Sequence, residues 1–346
     1  MRREKASKER LLFAISVISV VLLVSTVVMP GLAAAAGEEK SARAPVLDVV
    51  ATVSVLRDFV EQIGGDRVSC VALVTGMENP HTYATTTADR SAIEEASVFV
   101  EFGGEAGPEL EPWAQDLLDS SDNGGLVVCE AASGIPLIED NPHVWMDPEN
   151  AKTMVINIEK ALIEADPSGA SVYRNNTVSY LQRINETEER ILEEMAPYSG
   201  MKVIASHPAF LYFFNFIGFE QVDLLVDVPG QSPSAQHVSE IIDEIREENI
   251  SLIVTMPQFP TPVTDQIREE TGVRSVEITP LLGAFNTTTY LGMLEYDAGA
   301  ISLALSEGSR GGDESGASPV LMYSLIAIIA LVALGAAATV YRRRER

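Results

Sequence analysis

The chain has 346 residues, with 50 Asp and Glu against 24 Lys and Arg and only four His, for a formal net charge of −26. That length buries a full core in one large domain or two modest ones, and the acidic balance excludes a nucleic-acid binder, which needs a basic face. A hydrophobic content of 46% excludes a mainly disordered chain, and two Cys exclude a disulfide-stapled small fold or a metal cluster held by Cys alone.

Residues 1–37 open with Arg2, Arg3, Lys5, Lys8 and Arg10, followed by an uncharged apolar run at 11–29, Pro30, Gly31 and small residues up to Gly37. This pattern predicts a secretory signal, with an uncleaved N-terminal anchor as the alternative because the apolar run is long. No lipoprotein Cys follows it, which argues against lipid attachment there. Over 38–165 the pattern predicts an N-terminal α/β lobe. Runs at 46–55, 70–76, 98–104 and 126–132 are almost continuously apolar, as strands buried on both faces of a parallel sheet are. Asp147-Pro148-Glu149 reads as a helix N-cap with proline at the first helical position. Residues 166–200 hold a connecting helix: from Ala170 to Met195 no Pro or Gly interrupts the chain, and Val172, Val178, Leu181, Ile184, Ile191, Leu192 and Met195 recur at helical spacing. Residues 201–305 predict a second α/β lobe, with strands at 202–207, 222–228, 251–258 and 273–282. The predicted fold class is therefore α/β, with two lobes, each a mostly parallel sheet flanked by helices, joined by one long rigid helix. A Gly/Ser/acidic linker at 306–318 leads to an uncharged span within 319–341 and a basic tail at 342–346. The 22 residues of 320–341 reach about 33 Å as a helix, enough to cross a bilayer, and the arginines place the tail in the cytoplasm. Between the two basic ends lie 15 basic and 47 acidic residues, so the acidic body is expected outside the cell membrane on a single-pass C-terminal helix. Four N-x-[ST] triplets, at Asn175, Asn185, Asn249 and Asn286, fit an exported chain without proving one.

Three of the four histidines stand at strand ends or in adjoining loops: His81 in GMENPHTY, His143 in EDNPHVWMDP and His207 in IASHPAF. Two lobes face to face make a cleft beyond the carboxyl ends of their strands, and three neutral imidazoles meeting there suit a borderline ion such as zinc. The alternative is three satisfied structural histidines. His237 lies in a helical, acidic stretch and reads as a surface residue. Tyr83 and Trp145 flank ligand candidates and either wall the site or pack beneath it. Cys70 and Cys129 fall in strands of the first lobe and either pair or remain buried thiols.

Six ordered motifs carry a family resemblance over about residues 45–305: GMENPHTYATTTAD, NPHVWMDPENA, SHPAFLYFFNFIGFE, PGQSPSAQHVSEIIDEIREENI, MPQFPTPVTDQIREETG and YLGMLEYDAGAI. The sequence resembles the metal-binding extracytoplasmic solute-binding proteins of ABC transporters, the zinc/manganese or adhesin-like family that includes periplasmic zinc-uptake components. The resemblance implies a monomeric receptor that captures a divalent metal ion between two lobes and delivers it to a membrane permease. It also implies that His81, His143 and His207 are ligands and that the long helix limits lobe motion. The family often places its fourth ligand, an Asp, where this chain has Thr279 in VEITPLLG. Glu277, two residues earlier, is the candidate substitute by the strand period of two; water or Glu78 are the others. Three His without that Asp favour Zn2+ as the transported ligand, with Mn2+ as the alternative, since manganese prefers oxygen. The His-rich loop of many zinc members has no counterpart here, for residues 82–142 contain no His.

An exported three-His zinc hydrolase is the rival reading, because a catalytic zinc also keeps an open position. No H-E-x-x-H is present and no carboxylate base has an evident place, so no catalytic residue is assigned and a non-enzyme is predicted. A surface adhesin, the third reading, would not need three clustered histidines.

Overall fold

Eight apolar runs become eight strands in two four-stranded sheets of a computed structural model, which describes residues 47–226, 233–258 and 262–306. The first sheet holds β1 (Leu47–Val53), β2 (Val68–Val74), β3 (Val98–Glu101) and β4 (Val127–Glu130) in the order β2-β1-β3-β4, every pairing parallel. The second holds β5 (Lys202–Ala205), β6 (Glu220–Leu224), β7 (Leu252–Thr255) and β8 (Arg274–Glu277) in the order β6-β5-β7-β8, again all parallel. β1 lies inside its sheet and buries all its residues but Asp48. β2 lies at the edge and alternates between half-buried and exposed over most of its length, as one solvated face demands. The signal or anchor at 1–37, the linker, the span at 319–341 and the basic tail lie outside the described residues. Among the described residues no helix is long and apolar enough to cross a membrane.

The helices are α1 (Ser54–Gly64), α2 (Thr87–Glu95), α3 (Gly107–Leu110), α4 (Ala114–Asp119), α5 (Pro148–Ala165), α6 (Ala170–Met195), α7 (Leu211–Ile217), α8 (Ala235–Glu247), α9 (Val263–Thr271) and α10 (Tyr290–Ser306). α5 starts as its sequence predicts: the Asp147 carboxylate accepts the Glu149 N–H at 2.9 Å, with Pro148 in the first turn. α6 is the predicted long helix, 26 residues or about 39 Å at the helical rise. Its buried face follows the predicted apolar positions only in part, at Ile184, Ile191 and Met195. Tyr173, Thr177, Tyr180, Ile184, Thr187, Ile191 and Met195 turn inward, while Val172, Val178 and Leu192 are exposed.

One core runs through both lobes. It gathers Val49, Val50 and Phe99 from the first sheet, Tyr180 and Ile184 from α6, Tyr290 and Leu294 from α10, and Val203, Ala205, Leu252 and Val254 from the second sheet. The other face of the second sheet, Ile204 and Ile253, packs with Ile241 and Ile245 of α8 in a separate cluster. Adjacent strand residues thus feed different cores, as the period of two requires. α10 binds the second lobe back to the first. The Tyr290 N–H donates to Asp58 Oδ2 at 2.8 Å, and the Tyr290 hydroxyl donates to the Trp145 carbonyl at 2.7 Å. Tyr180 of α6 donates to the same Asp58 carboxylate at 3.3 Å, so one buried acid joins α1, α6 and α10.

A short strand β9 (Leu282–Phe285) meets the first lobe directly. Gly76 there has φ +133°, and a Cβ on it would stand 1.6 Å from the Leu282 carbonyl oxygen. Only glycine fits such a backbone-on-backbone approach. The Gln258 side-chain amide spans the same joint, donating to the Gly76 carbonyl at 2.7 Å and to Thr279 Oγ1 at 3.1 Å.

Candidate metal centre

Each of the three histidines is delivered by a short turn just past a strand or a loop bend. Asn79-Pro80-His81 and Asn141-Pro142-His143 use the same device. In each, the Asn side-chain oxygen accepts the His backbone N–H, at 2.9 Å for Asn79 and 3.0 Å for Asn141. The proline between them fixes φ and removes a competing donor. His207 follows β5 and begins a 3₁₀ turn at Pro208–Phe210, its Nδ1 accepting the Ala209 N–H at 3.1 Å.

These turns bring His81, His143 and His207 together, one potential ligand atom from each lying within 4.8 Å of the others. Their ring centroids are 5.2 to 5.9 Å apart. His143 and His207 are buried and His81 is half-buried. They face a cavity of about 670 Å³ between the lobes, lined from the first by Glu105, Glu109, Glu139, Asp140 and Asn141 and from the second by Pro208, Leu211, Gln221 and Leu224. Among the described residues that line it there is no Lys or Arg, so its field attracts cations.

Hydrogen bonds set the ring protons. His81 Nδ1 lies 2.9 Å from the Glu109 carbonyl oxygen, which only accepts, so Nδ1 carries the proton. His143 Nδ1 lies 2.9 Å from Asn141 Oδ1. The Asn141 amide is oriented by its NH2, which donates to the Pro208 carbonyl at 2.7 Å, so His143 Nδ1 donates as well. In the neutral rings both Nε2 atoms are therefore bare lone pairs, and they face each other at 3.4 Å. Burial, with the neighbouring His207 and His81, holds the His143 pKa well below its ordinary value. Burial and then His81 lower that of His207 to about 3. Both rings are neutral at pH 7, the form that binds metal.

The other candidates stand elsewhere. Glu277 is exposed at the end of β8 and does not join the cluster. Thr279 is wholly buried; its hydroxyl donates to the Leu281 carbonyl at 2.8 Å and accepts from Gln258, and its N–H donates to Asp297. Glu78 folds back on its own turn, accepting from the Thr75 and Gly76 N–H groups and the Thr75 hydroxyl. Burial opposes its ionisation, but those bonds prevail and lower its pKa. Trp145 packs beneath the site, its ring 5.3 Å from that of His143 and its N–H donated to the Pro280 carbonyl. Tyr83 packs on Trp113 instead and donates to Asp89. His237 is less exposed than predicted, its Nε2 donating to the Leu224 carbonyl at 2.7 Å. Cys70 and Cys129 are both free thiols. Asn141 and Glu109 are not among the residues predicted from the sequence. The repeated Asn-Pro-His tripeptide was the visible signal for the first; the second acts through its backbone carbonyl, which no side-chain pattern marks.

Comparison with known proteins gives a consistent result. The family described as "Zinc-uptake complex component A periplasmic" matches residues 49–304. The manganese-binding lipoprotein MntA of Halalkalibacterium halodurans is 27% identical over 271 residues, covering 75% of this chain and 89% of that protein. The high-affinity zinc uptake system protein ZnuA of Bacillus subtilis is 25% identical over 256 residues, covering 68% and 79%. A crystal structure of ZnuA superimposes with a TM-score of 0.66 at 28% identity, covering 75% of this chain and 99% of the other.

Proposed function

The chain belongs to the family of periplasmic zinc-uptake complex component A, and from that premise we propose that it captures one Zn2+ on His81, His143 and His207 and hands it to an ABC permease. The family consists of solute-binding receptors for metal transport, not enzymes. The observation that carries the zinc reading is the pair of Nε2 lone pairs held 3.4 Å apart. Zn–N bonds of about 2.0–2.1 Å at tetrahedral angles place ligand nitrogens about 3.3–3.4 Å apart. Two lone pairs facing each other repel, and a cation between them removes the repulsion. The third imidazole arrives with its neutral-ring proton on Nε2, because Nδ1 is occupied by the Ala209 N–H. Capture through that nitrogen therefore requires the proton to move to Nδ1, with loss of the hydrogen bond from the Ala209 N–H. No carboxylate joins the nitrogen cluster among the described residues, and an all-imidazole set favours zinc over manganese. In this reading water completes the coordination, and the apolar run at 320–341 with its arginine tail tethers the receptor to the outer face of the cell membrane.

Equilibrium dialysis of the purified protein against zinc and against manganese tests the proposal. One tightly held zinc is expected, lost in each of His81→Ala, His143→Ala and His207→Ala. Preference for manganese would move the assignment to the other metal of the class, and absence of sub-micromolar binding of either would end it.

A further inference from the structure

The two Asn-Pro-His turns are alike in sequence and in the Asn oxygen that accepts the His backbone N–H, yet their asparagines do different work. Asn79 reaches only the backbone N–H of His81, whose ring is held by the Glu109 carbonyl. Asn141 is buried, and its carboxamide reaches three groups. Oδ1 accepts from the His143 backbone N–H at 3.0 Å and from His143 Nδ1 at 2.9 Å, while Nδ2 donates to the Pro208 carbonyl at 2.7 Å. Pro208 is the residue after His207, so one side chain holds a histidine of the first lobe and the turn that presents a histidine of the second. The Asn141 backbone extends the link. Its carbonyl accepts from the Tyr212 hydroxyl of α7 at 2.9 Å, and that hydroxyl in turn accepts the Ile138 N–H at 2.9 Å.

We infer that Asn141 is a positioning residue of the metal site, which fixes the Nδ1–H tautomer of His143 and holds the His143 and His207 turns in register across the lobes. The inference rests on the receptor reading given above. The amide cannot reverse without setting its NH2 against a histidine backbone N–H and its oxygen against the Pro208 carbonyl, so its orientation is determined by three partners at once. Without it, neutral His143 is free to carry its proton on Nε2, where it blocks the lone pair that a metal needs. Partners of this kind orient ligating rings, and their removal lowers metal affinity by roughly 10- to 100-fold.

The test is 15N NMR of the full chain labelled at histidine, paired with zinc titration against a competing chelator. In metal-free wild type, His143 should show a protonated Nδ1 and a bare Nε2. In Asn141→Ala the ring should populate both tautomers, and zinc affinity should fall by roughly 10- to 100-fold. Asn141→Asp separates the two duties, since a carboxylate still accepts from His143 Nδ1 but presents an oxygen to the Pro208 carbonyl. It should restore the tautomer and only part of the affinity. A protonated Nε2 on His143 in the wild type, or an alanine variant that binds zinc within twofold of wild type, would overturn the inference. Wild type that takes up no metal would instead end the receptor reading, and the ring signals of the metal-free protein would still decide the part played by Asn141. The wild-type signals also decide it if the alanine variant fails to fold.

Discussion

Acid should unfold the metal-free protein partly through His207, and the size of that contribution follows from its burial. His207 is 1% exposed, and its pKa lies near 3 in the fold against an ordinary value of 6.5. The folded pKa is the lower one, so the unfolded chain binds the extra proton. Stability from this group is complete above pH 6.5 and is lost as pH falls towards 3. Between pH 7 and pH 5 the loss comes to about 2 kcal/mol. The whole protein does not report this directly, because buried carboxyl groups titrate with the opposite sign over the same range. A difference measurement isolates it. His207→Asn removes the titration and keeps the turn, since an Asn side-chain oxygen accepts the Ala209 N–H as the ring does now. The smaller side chain leaves a packing defect, but that defect is the same at both pH values. Urea unfolding of wild type and variant in chelator, followed by the fluorescence of Trp113 and Trp145, should therefore show the stability gap moving by about 2 kcal/mol in favour of the variant from pH 7 to pH 5. A gap that stays constant would refute the claim that the fold holds His207 neutral, and with it the prearranged neutral site.

Glu111 gives the opposite slope. Burial outweighs the hydrogen bonds it accepts and lifts its pKa to about 8 from 4.5, so its contribution is lost as pH rises from 4.5 towards 8. Glu111→Gln keeps an oxygen for the Phe102 N–H and should stabilise the protein relative to wild type by up to about 1.4 kcal/mol per pH unit over that window, read from urea midpoints at pH 6 and pH 8. Gly76→Ala should destabilise by roughly 4 kcal/mol or more, because φ is +133° and the atom met at 1.6 Å is backbone. Thermal melts check this, and a loss below about 1 kcal/mol would contradict so close an approach.

The interior strands β1, β3, β5 and β7 were legible because parallel strands buried on both faces leave unbroken apolar runs, and the predicted run at 98–104 contains all of β3. The span of α6 was legible for a different reason, the absence of Pro and Gly between Ala170 and Met195. Its orientation was legible only in part. Counting apolar residues found the buried Ile184, Ile191 and Met195 but also the exposed Val172, Val178 and Leu192, and it missed Tyr173, Thr177, Tyr180 and Thr187, which the core takes. Both tyrosines bury their rings and find partners for their hydroxyls, Asp166 at 2.8 Å and Asp58 at 3.3 Å. A hydropathy pattern gives no credit for a polar tip whose partner lies outside the helix. The histidines were legible as a set because three of four stood at strand ends, while the tautomers that prepare them depend on Glu109 and Pro208 carbonyls that only the fold supplies.

The fourth ligand shows where periodicity stops informing. Glu277 was assigned to the face of Thr279 by the strand period of two, but β8 ends at Glu277. Beyond that residue the pleat no longer fixes which way a side chain points, and Thr279 is buried while Glu277 is exposed. The turn after β8 is shaped by the joint between the lobes. The Thr279 N–H goes to Asp297 of α10, its hydroxyl to Leu281 and Gln258, and Gln258 crosses to Gly76. That joint also limits how the site can work. Because Val50, Val254 and Tyr290 lie in one continuous core, parting the lobes widely would expose apolar surface at about 25 cal/mol per Å². Small shifts of the His207 turn avoid that penalty. The proposed ligands His81 and His143 need no movement relative to each other, since their Nε2 atoms already stand 3.4 Å apart. In the receptor proposed above, capture then needs the His207 imidazole to move its proton to Nδ1 and close on that pair, a step in which the hydrogen bonds of one turn, Asn141 to Pro208 and Ala209 to His207, both take part.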